Sequence, residues 1–64
     1  MAYLAVDKNG LEWVFKNKPE REETSMEWVT TESHHFQFVN LPQGTIAKII
    51  GRPLTWDDEP VEIK

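Results

Sequence analysis

The sequence predicts a small α+β domain in which an antiparallel sheet of four or five strands carries one short helix. Three observations support this fold class. An Asn-Gly turn separates two β-compatible segments, further segments have strand character, and one apolar stripe with helical spacing ends at Gly51. The length of 64 residues allows a single domain over 1–64 and no second one.

A first β-hairpin is predicted over residues 3–16. The segment 3–6 is apolar, and Asn9 and Gly10 at the end of the following turn tolerate the left-handed backbone that tight turns need. The next segment alternates, so that one strand face carries Leu11, Trp13 and Phe15 and the other carries Glu12, Val14 and Lys16. We therefore expect Trp13 to belong to the core.

A second hairpin is predicted over about 26–39. The segments 26–31 and 36–39 have β character, and the polar residues 32–35 between them resemble a turn. The preceding segment, 17–25, is polar and highly charged. This composition is typical of a solvated connection, and an acidic docking loop is the alternative.

The helix is predicted over about 42–50. Pro42 suits a first helical turn, where its missing N–H is not needed. One helical face collects the apolar residues Leu41, Ile46, Ile49 and Ile50. Gly51 is a suitable left-handed cap, and Pro53 prevents the helix from continuing.

The chain after the helix is expected to form a turn and a last strand. Thr55 and Asp58 have the spacing of a capping box, which indicates a single helical turn. Pro60 ends that turn. Residues 61–63 alternate between apolar and polar side chains and predict a short final strand.

Composition limits both the sources of stability and the function classes. The chain has no cysteine and seven aromatic residues, so we expect the aromatics to form much of a thin core, with a stacking surface for a ligand as the alternative. The net charge of −4 argues against an ordinary nucleic-acid binder. Without a basic leader or an apolar run of about 20 residues, the expected location is cytoplasmic, with no membrane.

Two stretches of the chain resemble known sequences. Residues 3–10 read YLAVDKNG, and residues 41–61 read LPQGTIAKIIGRPLTWDDEPV. Both resemble a group of short uncharacterised proteins from phage, prophage and gut-bacterial genomes, and together they cover about half of the chain. The resemblance implies a phage or mobile-element context, and it assigns no activity and no site residue.

Three clusters of residues have some of the features of a ligand site, and none predicts a metal or cofactor. His34 and His35 lack the further His or Cys of a usual zinc site. The run 57–59 is acidic but does not have the spacing of a calcium loop, and 43–45 contains a single Gly where a phosphate loop has several. No nucleophile, base and orienting group can be nominated together, so we expect no enzyme.

The leading hypothesis is therefore a non-enzymatic protein-interaction module that binds itself, as a homodimer, or another protein. Trp28 stands beside Glu27 on an irregular strand, so we expect it to be partly exposed and a possible partner contact. One alternative is an acidic mimic of nucleic acid that uses carboxylates such as those of 20–23, Glu27, Glu32 and 57–59. Another is a single-stranded nucleic-acid binder that stacks bases on tryptophan.

The cap assignment predicts that Gly51→Val destabilises the domain by about 1 kcal/mol or more, because a β-branched residue fits the left-handed region poorly. A thermal melt of the variant tests this. A melting temperature equal to that of the parent protein would contradict the assignment.

Overall fold

A computed structural model describes residues 2–30 and 38–64. In these residues four strands form an antiparallel sheet in the order β5-β2-β1-β6, and β3 and β4 form a second, two-stranded sheet. One short helix completes the domain, which confirms the α+β class. The elements are β1 (Ala2–Val6), β2 (Glu12–Phe15), β3 (Glu20–Glu22), β4 (Glu27–Val29), β5 (Phe38–Leu41), α1 (Thr45–Ile50) and β6 (Val61–Ile63).

The first hairpin is present as predicted, with β1 antiparallel to β2. Its turn places Gly10 at φ 92°, and the Gly10 N–H donates to the Asp7 carbonyl over 2.9 Å. The Asp7 N–H donates in turn to the Leu11 carbonyl, also over 2.9 Å. This pattern is a type I turn followed by a left-handed bulge residue, one of the common ways to join two strands.

The predicted second hairpin over about 26–39 is wrong. β4 pairs with β3, with Arg21 opposite Trp28, whereas β5 pairs with β2. The segment 17–25 is therefore not simply a connection, since its residues 20–22 form a strand. Alternation on β3 turns Arg21 inward toward Trp28 and leaves the flanking glutamates outside. The expected turn at 32–35, with His34 and His35, lies outside the described residues.

The four-stranded sheet is covered on both faces, because successive β1 side chains alternate between two apolar clusters. On one face Leu4 and Val6 pack with Ile46 of α1 and with Leu54. On the other face the buried residues are Ala5, Phe15 and Trp28, and the partly buried residues around them are Tyr3, Trp13, Phe38 and Trp56. The domain thus has the sheet as its middle layer, with α1 on one side and β4 on the other.

The helix is shorter than predicted and depends on a carboxylate from β2. Gly44 has φ 93°, a left-handed backbone that keeps α1 from starting before Thr45. The buried Glu12 accepts hydrogen bonds from the Gly44 N–H at 2.6 Å and from the Ile46 N–H at 2.9 Å. At the other end Gly51 has φ 80° and donates its N–H to the Ala47 carbonyl, which confirms the predicted cap.

This capping contact predicts that Glu12→Ala destabilises the domain by about 1.5–3 kcal/mol, since it removes a charged acceptor and leaves backbone donors of α1 without a partner. Glu12→Gln retains one acceptor oxygen and is expected to lose less. Thermal melts of both variants measure the effect, with Glu62→Ala at the exposed position of β6 as the control. Equal melting of Glu12→Ala and Glu62→Ala would show that the contact contributes nothing.

Candidate functional site

The strongest candidate site is a cavity on the face of the sheet opposite α1. Its volume is about 370 Å³, its apolar wall is formed by Trp13, Phe15, Trp28 and Phe38, and the ionisable residues that line it are Asp7 and Glu27. Thr30 and Phe38, which also line it, adjoin the segment 31–37 outside the described residues. The cavity therefore joins the middle sheet, through β2 and β5, to the β3–β4 layer.

The aromatic wall is held by ring contacts between neighbouring strands. Trp13 of β2 meets Phe38 of β5 edge to face, with ring centroids 5.5 Å apart and planes at 74°. Phe15 meets the same Phe38 at 5.7 Å. Such pairs add to the stability that burial alone provides. Phe38 thus places part of the cavity wall on the edge strand of the sheet.

Asp7 is the buried polar group at the cavity, and its carboxylate joins two layers. One oxygen, Oδ2, accepts a hydrogen bond from the Trp13 Nε1–H at 2.8 Å. The other, Oδ1, accepts one from the Trp28 backbone N–H at 2.9 Å. Both donors are neutral, and within residues 2–30 and 38–64 no cationic side chain is paired with this carboxylate.

The prediction that Trp28 is partly exposed is wrong, because only 6% of the residue is accessible to solvent. Its indole Nε1–H donates to the Val6 carbonyl at 2.8 Å, and its ring lies 5.5 Å from the ring of Trp56. Alternation on β4 turns Trp28 toward the middle sheet, so Glu27 and Val29 take the exposed positions. The role of Trp28 as a partner contact stays a prediction, limited to the small part of it that lines the cavity.

Arg21 ties the β3–β4 layer to the turn that precedes β6. Its guanidinium lies 4.8 Å from the Trp28 ring centroid and 5.1 Å from that of Trp56. Nη2 donates to the carbonyls of Trp56 at 2.8 Å and Asp58 at 3.2 Å. Arg21 is the one inward-facing residue of the segment 20–22, and these contacts engage its guanidinium. The role of Arg21 in the domain is therefore structural. The sequence gives no signal for this contact, because Arg21 stands between two acidic residues and its tryptophan partners are distant along the chain.

The acidic run 57–59 belongs to a turn. The Thr55 N–H donates to Asp58 Oδ2 at 2.9 Å, which is the half of a capping box that the spacing predicts. The Asp58 N–H donates to the Thr55 backbone carbonyl at 3.0 Å and not to the Thr55 hydroxyl. The Thr55 backbone hydrogen bond holds the pKa of Asp58 below its ordinary value. In the described residues no group of three or more His, Cys, Asp or Glu side chains is placed to hold a metal ion.

The residues 43–45, which the sequence does not support as a phosphate loop, have a backbone donor that is already occupied by the chain itself. The Gly44 N–H, which would face a phosphate, donates to the Glu12 carboxylate instead. A buried carboxylate at that position disfavours a second anion. The residues 43–45 therefore serve to start α1, and the site reasoning from sequence missed Glu12 because its partner lies more than 30 positions away.

Several carboxylates do cluster, on the outer face of the β3–β4 hairpin. Arg21 and Trp28 point inward, so Glu20, Glu22 and Glu27 share the exposed face, and Glu22 lies directly opposite Glu27. Like charges in directly opposed positions repel one another. This surface is called the acidic hairpin face below. Sequence alone predicted the charges but not their common face, because that depended on the pairing of β3 with β4.

Comparisons with known proteins give no family assignment. No family model, no curated protein and no solved structure was found to match the chain. The resemblance of its two ends to phage and gut-bacterial proteins accordingly stays a prediction. Among the described residues, the helix is far too short to cross a membrane. Function must therefore be inferred from the cavity, the strand edges and the acidic hairpin face.

Trp28 is buried and Trp13, expected in the core, is partly buried, which predicts that Trp28→Ala is at least as damaging as Trp13→Ala. Truncating a core tryptophan costs about 3–5 kcal/mol, a large part of the stability of a small domain. Thermal melts and near-ultraviolet circular dichroism measure the loss. Val29→Ala, on the exposed side of the same strand, is the matched control and is expected to melt near the parent protein. A stable Trp28→Ala variant would contradict the core role of this residue.

Proposed function

We propose that this domain is a non-enzymatic protein-interaction module that binds an extended segment of a partner protein along the outer edge of β5. The observation that carries the proposal is an uncharged edge strand with an aromatic cavity beside it. Addition of a strand to an exposed sheet edge is a common mode of peptide recognition. A mobile-element context for such a module is part of the proposal, and it depends on the predicted resemblance of the chain's ends to phage proteins.

The strand edges of the domain differ in how well they are protected. β5 contains Phe38, Val39, Asn40 and Leu41, with neither a charge nor a proline inside the strand. The opposite edge strand, β6, carries Glu62 and directly follows Pro60. In the two-stranded sheet both strands are edges, and β3 and β4 each contain at least one glutamate. Charges and prolines are the usual means by which proteins prevent pairing at an edge, and β5 lacks them.

The register shows which backbone groups of β5 a partner would meet. Hydrogen-bonded and non-hydrogen-bonded residue pairs alternate along two antiparallel strands. Asp7 and Leu11 are hydrogen-bonded, so Ala5 and Trp13 are the next such pair in the first hairpin. Val14, beside Trp13, therefore directs its backbone groups toward β5. Val14 pairs with Val39. The N–H and carbonyl groups of Phe38 and Asn40 therefore point away from the sheet, where an added strand would bind them.

The two faces next to this edge offer different surroundings to the partner's side chains. Successive side chains of an added strand point to opposite faces. One set would lie over the aromatic cavity. The other set would lie on the side of α1, where Val39 is 60% and Ile49 is 51% exposed. Main-chain pairing would give affinity, and the cavity would select among side chains.

A second candidate function is supported by the acidic hairpin face. Glu20, Glu22 and Glu27 share one exposed surface, as a mimic of nucleic acid would require. Such a mimic would occupy the basic site of a host protein. A stacking role in single-stranded nucleic-acid binding has less support, because Trp28 is buried and the net charge is −4. A catalytic role has less support still, since both oxygens of Asp7 accept structural hydrogen bonds.

An open β5 edge predicts that the amides of Phe38 and Asn40 exchange quickly with solvent deuterium, while those of Val39 and Leu41 are protected. Exchange measured by NMR tests this, first on the free domain and then with a ligand selected from a library of extended peptides. The peptide is expected to protect Phe38 and Asn40. Protection of both amides that rises with protein concentration would identify a second copy as the partner at this edge. Protection that is independent of both ligand and concentration would contradict the proposal.

The matched variants of this test place lysine on opposite edges. Val39→Lys adds a charge at an exposed position of β5 and is expected to abolish peptide binding with little change in stability. Glu62→Lys places the same side chain at the exposed position of β6 and is expected to leave binding intact. Loss of binding in Glu62→Lys alone would move the interface to the other edge and overturn the assignment to β5.

A further inference from the structure

We propose that the aromatic cavity beside β5 binds a lysine or arginine side chain of the partner segment, an inference that rests on the function proposed above. Phe38 belongs both to the edge strand and to the cavity wall. A strand that pairs with β5 would therefore direct alternate side chains toward the cavity. The volume of about 370 Å³ falls within the usual range for small ligand pockets, so it is ample for a side chain.

The charge around the cavity favours a cation. The ionisable residues that line it are Asp7 and Glu27, and no basic residue lines it within the described residues. Glu27 also belongs to the acidic hairpin face, opposite Glu22. The chain as a whole carries a net charge of −4. Both the local and the overall potential therefore attract a basic partner and repel an acidic one.

Asp7 has acceptor capacity left for such a partner. A carboxylate offers about four lone-pair positions. Two of them are used by the Trp13 indole and the Trp28 amide. An apolar side chain filling the cavity would keep water from Asp7 without completing the hydrogen bonds of its carboxylate, which is unfavourable. A guanidinium or ammonium group would satisfy that carboxylate with charge-assisted hydrogen bonds.

The aromatic wall suits a cation as well. Cations are attracted to the faces of aromatic rings, most strongly to tryptophan. The same domain already shows this contact, since the Arg21 guanidinium lies 4.8 Å from the Trp28 ring centroid and 5.1 Å from that of Trp56. The cavity combines Trp13, Trp28 and two phenylalanines with carboxylates. That combination recognises a flat or compact cation attached to an apolar stem, which describes arginine and lysine.

The test uses small probes that do not need the strand edge, so that it can fail independently of the proposed function. Butylguanidinium carries the charged group of arginine, and butylammonium carries that of lysine. Butylurea is the neutral counterpart of butylguanidinium. Each is titrated into the ¹⁵N-labelled domain while the three indole N–H signals are followed by NMR. The cations are expected to shift the signal of Trp13 saturably, with little effect from butylurea, and added salt is expected to weaken the shift.

Two variants with the same charge change supply the control. Glu27→Gln is expected to weaken cation binding about two- to fivefold, since Glu27 is exposed, and to leave the butylurea titration unchanged. Glu62→Gln, on β6, is expected to bind like the parent domain. Equal shifts with butylurea, no binding of either cation, or equal weakening by both variants would overturn the inference. If the amides of Phe38 and Asn40 are protected from exchange regardless of ligand and concentration while the cations still bind, the edge proposal fails and the cation site stands.

Discussion

The hydrogen bonds of the Asp7 carboxylate are the interaction on which the rest of the domain depends. The backbone of this residue closes the first hairpin, and its side chain binds the Trp13 indole and the Trp28 amide. It thereby fixes a strand of the middle sheet and a strand of the second sheet from a single position. A buried carboxylate without such donors would be strongly destabilising. The turn, the orientation of Trp13 and the place of β4 are consequently coupled, and the cavity between them takes its shape from that coupling.

The small size of the chain explains why its polar residues are used in this way. A domain of 64 residues cannot bury a large apolar core. Here the four-stranded sheet is covered on both faces, which divides the apolar residues into two thin clusters. Long-range polar contacts hold the outer layers in place: Glu12 caps α1 on one side, and Arg21 binds the Trp56 and Asp58 carbonyls on the other. Each outer layer is thus attached by one charged residue as well as by packing.

Local signals in the sequence predicted the local structure correctly, and long-range pairing escaped them. Asn9 and Gly10 identified the first hairpin, and Gly51 identified the helix end, because turn chemistry depends on neighbouring residues. The pairing of β3 with β4 depends on Arg21 meeting Trp28 and on Trp28 reaching Asp7, which are separated by 21 positions. The polar composition of 17–25 concealed that strand. For the candidate site, the sequence indicated the aromatic residues and the acidic balance, but not that Trp28 is buried or that Glu27 borders a cavity.

The pairing of β1 with β6 has a consequence for the order of folding. β1 lies between β2 and β6, and its Ala2 lies opposite Ile63 of β6. One of the two neighbours of β1 is therefore the last strand of the domain to be synthesised. During translation β1 can pair with β2 at once, but its other edge stays open until residue 63 has left the ribosome. Contacts between such distant positions slow folding, because the chain between them must be ordered first. The complete sheet therefore forms only after β6 has been synthesised, and labels attached next to Ala2 and Ile63 would lie side by side.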